Sequence, residues 1–162
     1  MEFYALEQPD QIPKKEKEDA MGAYLMMFAA IGAGLPLPII NLIASLIYYF
    51  VQKKNSRFVR FHSMQSLLSQ LPTTAVNAVA VFWTIQIFFF HNYEVTNEYL
   101  GYLIMMAIVN LSYFIFSIIG AVKARAGNMY YFLFFGKFCY EQVYKLRDEA
   151  ASKENVNLPP SL

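Results

Sequence analysis

Charge is scarce in this chain. Of its 162 residues, 15% are charged, whereas 57% are hydrophobic and 17% aromatic. A soluble domain carries about 25% charged residues. The deficit lies in three long apolar blocks, and the charge that remains sits at the chain ends and in one loop, the layout of a small polytopic membrane protein. The length predicts one domain with no separate soluble unit. Cysteine is nearly absent as well. Cys139 stands alone, so no internal disulfide can form and nothing implies an oxidising compartment. Only two histidines occur, His62 and His91. There is no metal-spaced His/Cys set, no phosphate-cradling glycine loop and no Ser-His-Asp arrangement. The expectation is therefore a protein without catalytic residues, metal or cofactor. A net charge of +1 argues against a nucleic-acid partner. The first apolar run follows an acidic stretch and continues too far for the short core of a cleavable signal peptide, and no Arg- and Ser-rich transit peptide is present.

Residues 1–19 form a polar leader with Pro9, Pro13 and a mixed-charge run from Lys14 to Asp19. Residues 20–50 are apolar except for Asn41 and Ser45. As one helix that run would reach about 46 Å, too long for one span of about 30 Å and too short for two ordinary ones. Gly34-Leu35-Pro36-Leu37-Pro38 breaks it, because each proline lacks an amide donor and pushes its preceding leucine toward extended geometry. Two short helices follow, about 20–34 and 38–52, each reaching about 22 Å. Their corner needs protein or water partners for its free carbonyls. The third block, 61–90, carries Pro72 as an expected kink. A polar connection at 91–97 leads to the fourth, 99–122, with Gly127 as its stop. Residues 129–147 mix Tyr and Phe with Lys137, Glu141 and Lys145. They read as an interfacial helix, aromatic side down. Residues 148–162 form a flexible polar tail. The predicted fold is an all-α membrane protein: a four-helix transmembrane bundle with a short, proline-broken first hairpin and a C-terminal interfacial helix.

With four crossings, the leader, the loop 53–60 and the tail share one side. All 13 basic residues fall on that side, and the two opposite connections hold none. The positive-inside rule then puts both termini in the cytoplasm.

In the third block, polar residues recur at His62, Ser66, Gln70, Thr73 and Asn77, in steps of four, four, three and four. They form one stripe along a helix. One reading is interhelical glue, each bond contributing roughly 0.6–2 kcal/mol, with Asn41, Ser45, Asn110, Ser112 and Ser117 as partners. The other is a hydrophilic path. No Asp, Glu, Lys or Arg interrupts the stripe, which argues against a proton- or ion-coupled carrier and against a small-solute channel. His62 stands at the mouth of the stripe, where a structural bond competes with titration or phosphate binding. Lys53, Lys54, Arg57 and Arg60 make a cluster that anionic headgroups attract, at about 1 kcal/mol per charge. Phe58 and Phe61 are expected as interfacial anchors beside Arg60.

Three stretches carry a resemblance to a known family. They are Pro38-Ile39-Ile40-Asn41, the run Phe58-Val59-Arg60-Phe61-His62-Ser63-Met64-Gln65-Ser66-Leu67-Leu68, and Ile118 to Gly127. Over about 20–135 the chain resembles the twenty-kilodalton subunit of the translocon at the inner chloroplast envelope, and its small bacterial relatives. The motif residues are Phe58, Arg60, Phe61, His62 and Gln65. That family continues past the last glycine with Tyr and then Pro, and here Tyr130 to Phe134 contains no proline. The resemblance implies a four-helix membrane protein that assists polypeptide transport or insertion. The alternative from the residues alone is a non-catalytic accessory subunit of a larger membrane complex. The expected partners are the bilayer, anionic headgroups, and other membrane subunits or further copies of the chain.

Overall fold

The structure is a computed structural model, and it describes residues 3–29, 38–90, 93–132 and 134–146. The Gly34 to Leu37 corner, His91 and the tail from 148 lie outside these residues. Among the described residues the fold is all-helical. Five α-helices run in the order α1 (Lys14–Leu25), α2 (Pro38–Gln52), α3 (Arg57–Phe88), α4 (Asn97–Arg125) and α5 (Phe135–Tyr144). A turn of 3-10 helix, Met26–Phe28, extends α1.

The helix ends follow local chemistry more than hydropathy. α1 begins at Lys14, ahead of the expected residue 20, directly after Pro13. Its first half is the mixed-charge run, with an exposed Lys14–Glu18 pair at 3.8 Å. Helix formation there needs only good helix formers, not an apolar face. α3 begins at Arg57 and not at 61, because the Ser56 hydroxyl accepts the Val59 amide at 3.4 Å and caps it. The helix continues through Pro72. Thr96 caps α4 in the same way, accepting from the Tyr99 amide at 3.3 Å. α4 closes on Gly127, whose φ is +80°. The Asn128 amide donates to the Lys123 carbonyl and the Gly127 amide to the Ala124 carbonyl, both at 2.9 Å. That is a Schellman closure, which needs the left-handed backbone glycine allows.

Among the described residues only α3 and α4 are long and apolar enough to cross a membrane. Of their most apolar 18-residue windows, 17% and 11% is buried inside the protein. A core helix of a soluble protein would be mostly covered, so these two bare helices are compatible with a helical membrane protein. The expected four-spanning bundle is thus reduced, among the described residues, to two helices of spanning length. α1 is too polar and α2, at 15 residues, too short.

α1 packs on both α3 and α4, and α2 packs on α3. Residues 3–13 are not a free leader. The Tyr4 amide donates to the Tyr144 carbonyl at 2.8 Å, Phe3 stacks on Tyr140, and Ile12 is buried. One apolar cluster joins Ile12, Ala20, Tyr24, Phe58, Ala124 and Phe132. A second joins Phe61 to Cys139, Val143 and Tyr144. Half of α5 is therefore docked on protein. Both clusters lie at the end where α3 begins and α4 finishes.

Candidate functional site, a polar seam along the third helix

α3 turns a file of hydrogen-bonding side chains toward its neighbours. The centre is Gln65, which is fully buried. Its Nε2 donates to the Tyr24 hydroxyl at 2.7 Å and to the Tyr130 carbonyl at 2.8 Å, while its Oε1 accepts the Phe132 amide at 3.0 Å. One amide thus ties α1, α3 and the segment after α4. Tyr24 also bonds His62 Nδ1 at 2.9 Å. His62 is 0% exposed and sits edge-on to Phe58 and Phe61. Its Nε2 is directed at the backbone of Asn128 and closes no bond of ordinary geometry. Tyr24 can approach this closely because Gly120 of α4 has no side chain. A Cβ there would stand 2.8 Å from the Tyr24 ring.

One turn further, the Ser66 hydroxyl donates to the Ala23 carbonyl at 2.7 Å. Gln70 Nε2 donates to the Ser45 hydroxyl of α2. Thr73 bonds back to the Gln70 carbonyl at 2.9 Å. Asn77 and Asn110 of α4 exchange two amide bonds at 2.9 and 2.8 Å. Beyond them Tyr102 bonds the Val76 carbonyl, and Thr84 bonds the Tyr99 hydroxyl at 2.8 Å. Each of the five stripe residues thus has a bonding partner. Ser45 and Asn110 were expected partners. Tyr24, Tyr99 and Tyr102 were not, although a tyrosine inside an apolar run signals a hydroxyl in need of a partner.

The seam is not sealed throughout. A polar cleft of about 220 Å³ opens between α2, α3 and α4, lined by Asn41, Gln70, Thr74, Asn77 and Asn110 among others. Gln70 Oε1 is buried there without a partner. The Tyr113 hydroxyl faces Ser69, Gln70 and Ser117 but closes no ordinary bond with them. Behind Thr73 and Tyr113 lies a second cleft, almost wholly apolar, between α3, α4 and the side chains of Phe132, Phe134 and Phe135. Buried neutral acceptors of this kind hold water. Among the described residues that line the polar cleft there is no Asp, Glu, Lys, Arg or His.

The basic cluster stays on the surface. Lys54 and Arg60 are exposed, Lys53 lies over the Phe50 ring at 5.3 Å, and the Arg57 guanidinium covers the Tyr4 ring at 3.5 Å. Phe58 and Phe61 are not interfacial anchors; they are 2% and 0% exposed. α1, the 3–13 strap and α5 cover the start of α3 and enclose them. For the same reason His62 is a core residue and not the mouth of a path. No group of three metal-ligating side chains occurs among the described residues.

The MamF/MmsF family, the magnetosome magnetite crystal formation protein family, matches residues 16–139. That is about three quarters of the chain, which therefore belongs to this family. No curated protein and no solved structure matches it. This overturns the resemblance to the chloroplast translocon subunit and with it the reading as a protein-transport component. The structural reason is visible in the motif itself. Phe58, Phe61, His62, Gln65 and Ser66 are packing and bonding residues of a buried helix junction. They specify how helices meet and carry no transport chemistry.

Proposed function

We propose that this protein is a non-catalytic integral component of the membrane around a growing magnetite crystal, with its two ends chemically unlike. The apolar α2 and the apolar second half of α1 enter the membrane beside α3 and α4 without spanning it. Both termini lie on the side away from the mineral, with the exposed Lys53, Lys54, Arg57 and Arg60 against anionic headgroups. The observation that carries this reading is the charge partition. Among the described residues every lysine and arginine belongs to one end, whereas the opposite turn exposes Glu94 and Glu98 and carries no lysine or arginine. Carboxylate oxygens are the ligands that hard cations and an iron oxide surface favour. An uncovered stripe on α4, through Leu100, Ile104, Ile108, Leu111 and Ile115, supports lipid or further membrane subunits as lateral partners.

The test has two arms. In a Cys139→Ser background, Tyr93→Cys should resist a membrane-impermeant thiol reagent applied to intact vesicles, and Lys15→Cys should react. Equal labelling of both would overturn the topology. In magnetite-forming cells, Glu94→Gln with Glu98→Gln should change crystal size while the membrane level of the protein stays constant. Unchanged crystals would remove the mineral-facing role.

A further inference from the structure

The second cleft lies on the opposite side of Thr73 and Tyr113 from the polar one and has a volume of about 370 Å³. Its walls are Pro72 of α3, Ile108, Val109 and Phe116 of α4, and Phe132 with Phe134 beyond the α4 end. The two hydroxyls on the α3 wall are already committed. Ser69 bonds the Ser66 carbonyl and Thr73 the Gln70 carbonyl. Ser112 and Tyr113 also border the cleft, but its exposed lining is almost wholly apolar. From Phe116 to Ile108 it follows α4 for eight residues, about 12 Å along the helix axis, starting near the basic end. A flexible chain of methylenes, slimmer than the roughly 10 Å width of an α-helix, suits this length and this apolar lining.

Two exposed cations stand toward the basic end of the cleft. Lys123 stands seven residues past Phe116, two turns nearer the helix end on the same α4 face. Lys137 is exposed on the first turn of α5, three residues past Phe134 and on the same face. Phe134 is 89% exposed, an apolar ring standing at the rim.

We propose that this cleft binds one acyl chain of an anionic phospholipid, whose phosphate meets Lys123 and Lys137. The site rests on α3 and α4 crossing the membrane and not on any role at the mineral. Lipid bound there fills the space beside Phe132, Phe134 and Phe135, next to the Tyr130 and Phe132 backbone groups that Gln65 holds.

Native mass spectrometry of the full chain tests this, after reconstitution in an equal mixture of phosphatidylglycerol and phosphatidylcholine and release into mild detergent. The wild type should retain one phospholipid, with phosphatidylglycerol favoured several-fold. Val109→Trp should reduce retention at least tenfold, and Ser112→Phe should reduce it less. Retention of Cys139 protection from thiol reagents certifies that each variant is folded. Lys123→Gln with Lys137→Gln should keep a lipid but lose the preference for the anionic headgroup. Lipid retained by folded Val109→Trp at the wild-type level overturns the site. So does a wild-type dimer that Val109→Trp converts to monomer, because the occupant is then a second copy. A preference unaffected by the lysine changes overturns the headgroup assignment.

Discussion

The two ends of the α3–α4 pair are built by different rules. At the end near Arg57 and Arg125 the pair is wrapped by α1, α2, α5 and the 3–13 strap. Ten of the 12 buried residues of α3 lie between Phe58 and Thr73. At the end near Phe88 and Asn97 the two helices have chiefly each other, and Phe82, Phe88, Leu100 and Ile104 face outward. The same chemistry therefore has unequal weight at the two ends. A buried amide at the wrapped end bonds several elements, and its loss strands backbone groups with no water near. An amide at the bare end joins one pair of helices, and its loss leaves an ordinary lipid-facing hairpin. Polar residues on a membrane helix are thus not one class; what surrounds them decides whether they specify a junction or merely trim one.

The comparison breaks most readily at Phe61. It is 0% exposed and packs on Cys139, Val143 and Tyr144. Phe61→Ala should destabilise the wrapped end by about 3–5 kcal/mol. Burial pushes the Cys139 thiol up to about 12, so it stays protonated and unreactive from pH 7 through pH 9. In the variant the thiol should regain ordinary reactivity as α5 lifts. Labelling as slow as in the wild type would mean that α5 is held elsewhere.

Gln65→Leu comes next. The substitution keeps the volume but leaves the Phe132 amide and the Tyr130 carbonyl unpaired. The expected loss is about 2–4 kcal/mol in a denaturant titration, from at least two stranded groups. A change below about 1 kcal/mol would show that water replaces the amide, and the junction would then be less dry than its packing implies.

A pair of glycines sharpens the same contrast. Gly120→Leu drives a side chain into the Tyr24 ring and should cost about 1–3 kcal/mol. At Gly101, on the bare end, a Cβ meets nothing within 4 Å. Gly101→Leu should be neutral or slightly stabilising, since it also improves helix propensity. Equal effects at both positions, read by thermal unfolding in detergent, would erase the distinction between the ends.

These residues also mark how far sequence reasoning reaches. The helical class and the stripe from His62 to Asn77 follow from apolar block lengths and a four-three-four spacing, because helical period is a local property. The partners of that stripe are not local. Tyr24 lies 38 residues from His62 and 41 from Gln65, and no periodicity relates them. The strap through Ile12 has the polar composition of a leader, although one isoleucine and two aromatic rings suffice to dock it. The translocon resemblance failed for a related reason. The motif around Gln65 records a helix junction, and the same junction can serve proteins with different work to do.

The smallest effect is expected at Asn77. Its reciprocal pair with Asn110 has good geometry, and in an apolar bundle it looks indispensable. Yet Asn110 also donates to the Met106 carbonyl at 2.8 Å, so removing Asn77 does not leave that amide bare. Interhelical bonds in membranes average about 0.6 kcal/mol, since the separated helices find other partners. Asn77→Leu should therefore cost about 0.6 kcal/mol, and Asn77→Leu with Asn110→Leu little more. The coupling energy from that double-mutant cycle is the measure. A coupling above about 2 kcal/mol would place the pair with the Gln65 junction, and the bare end would have to be regarded as a second organised core.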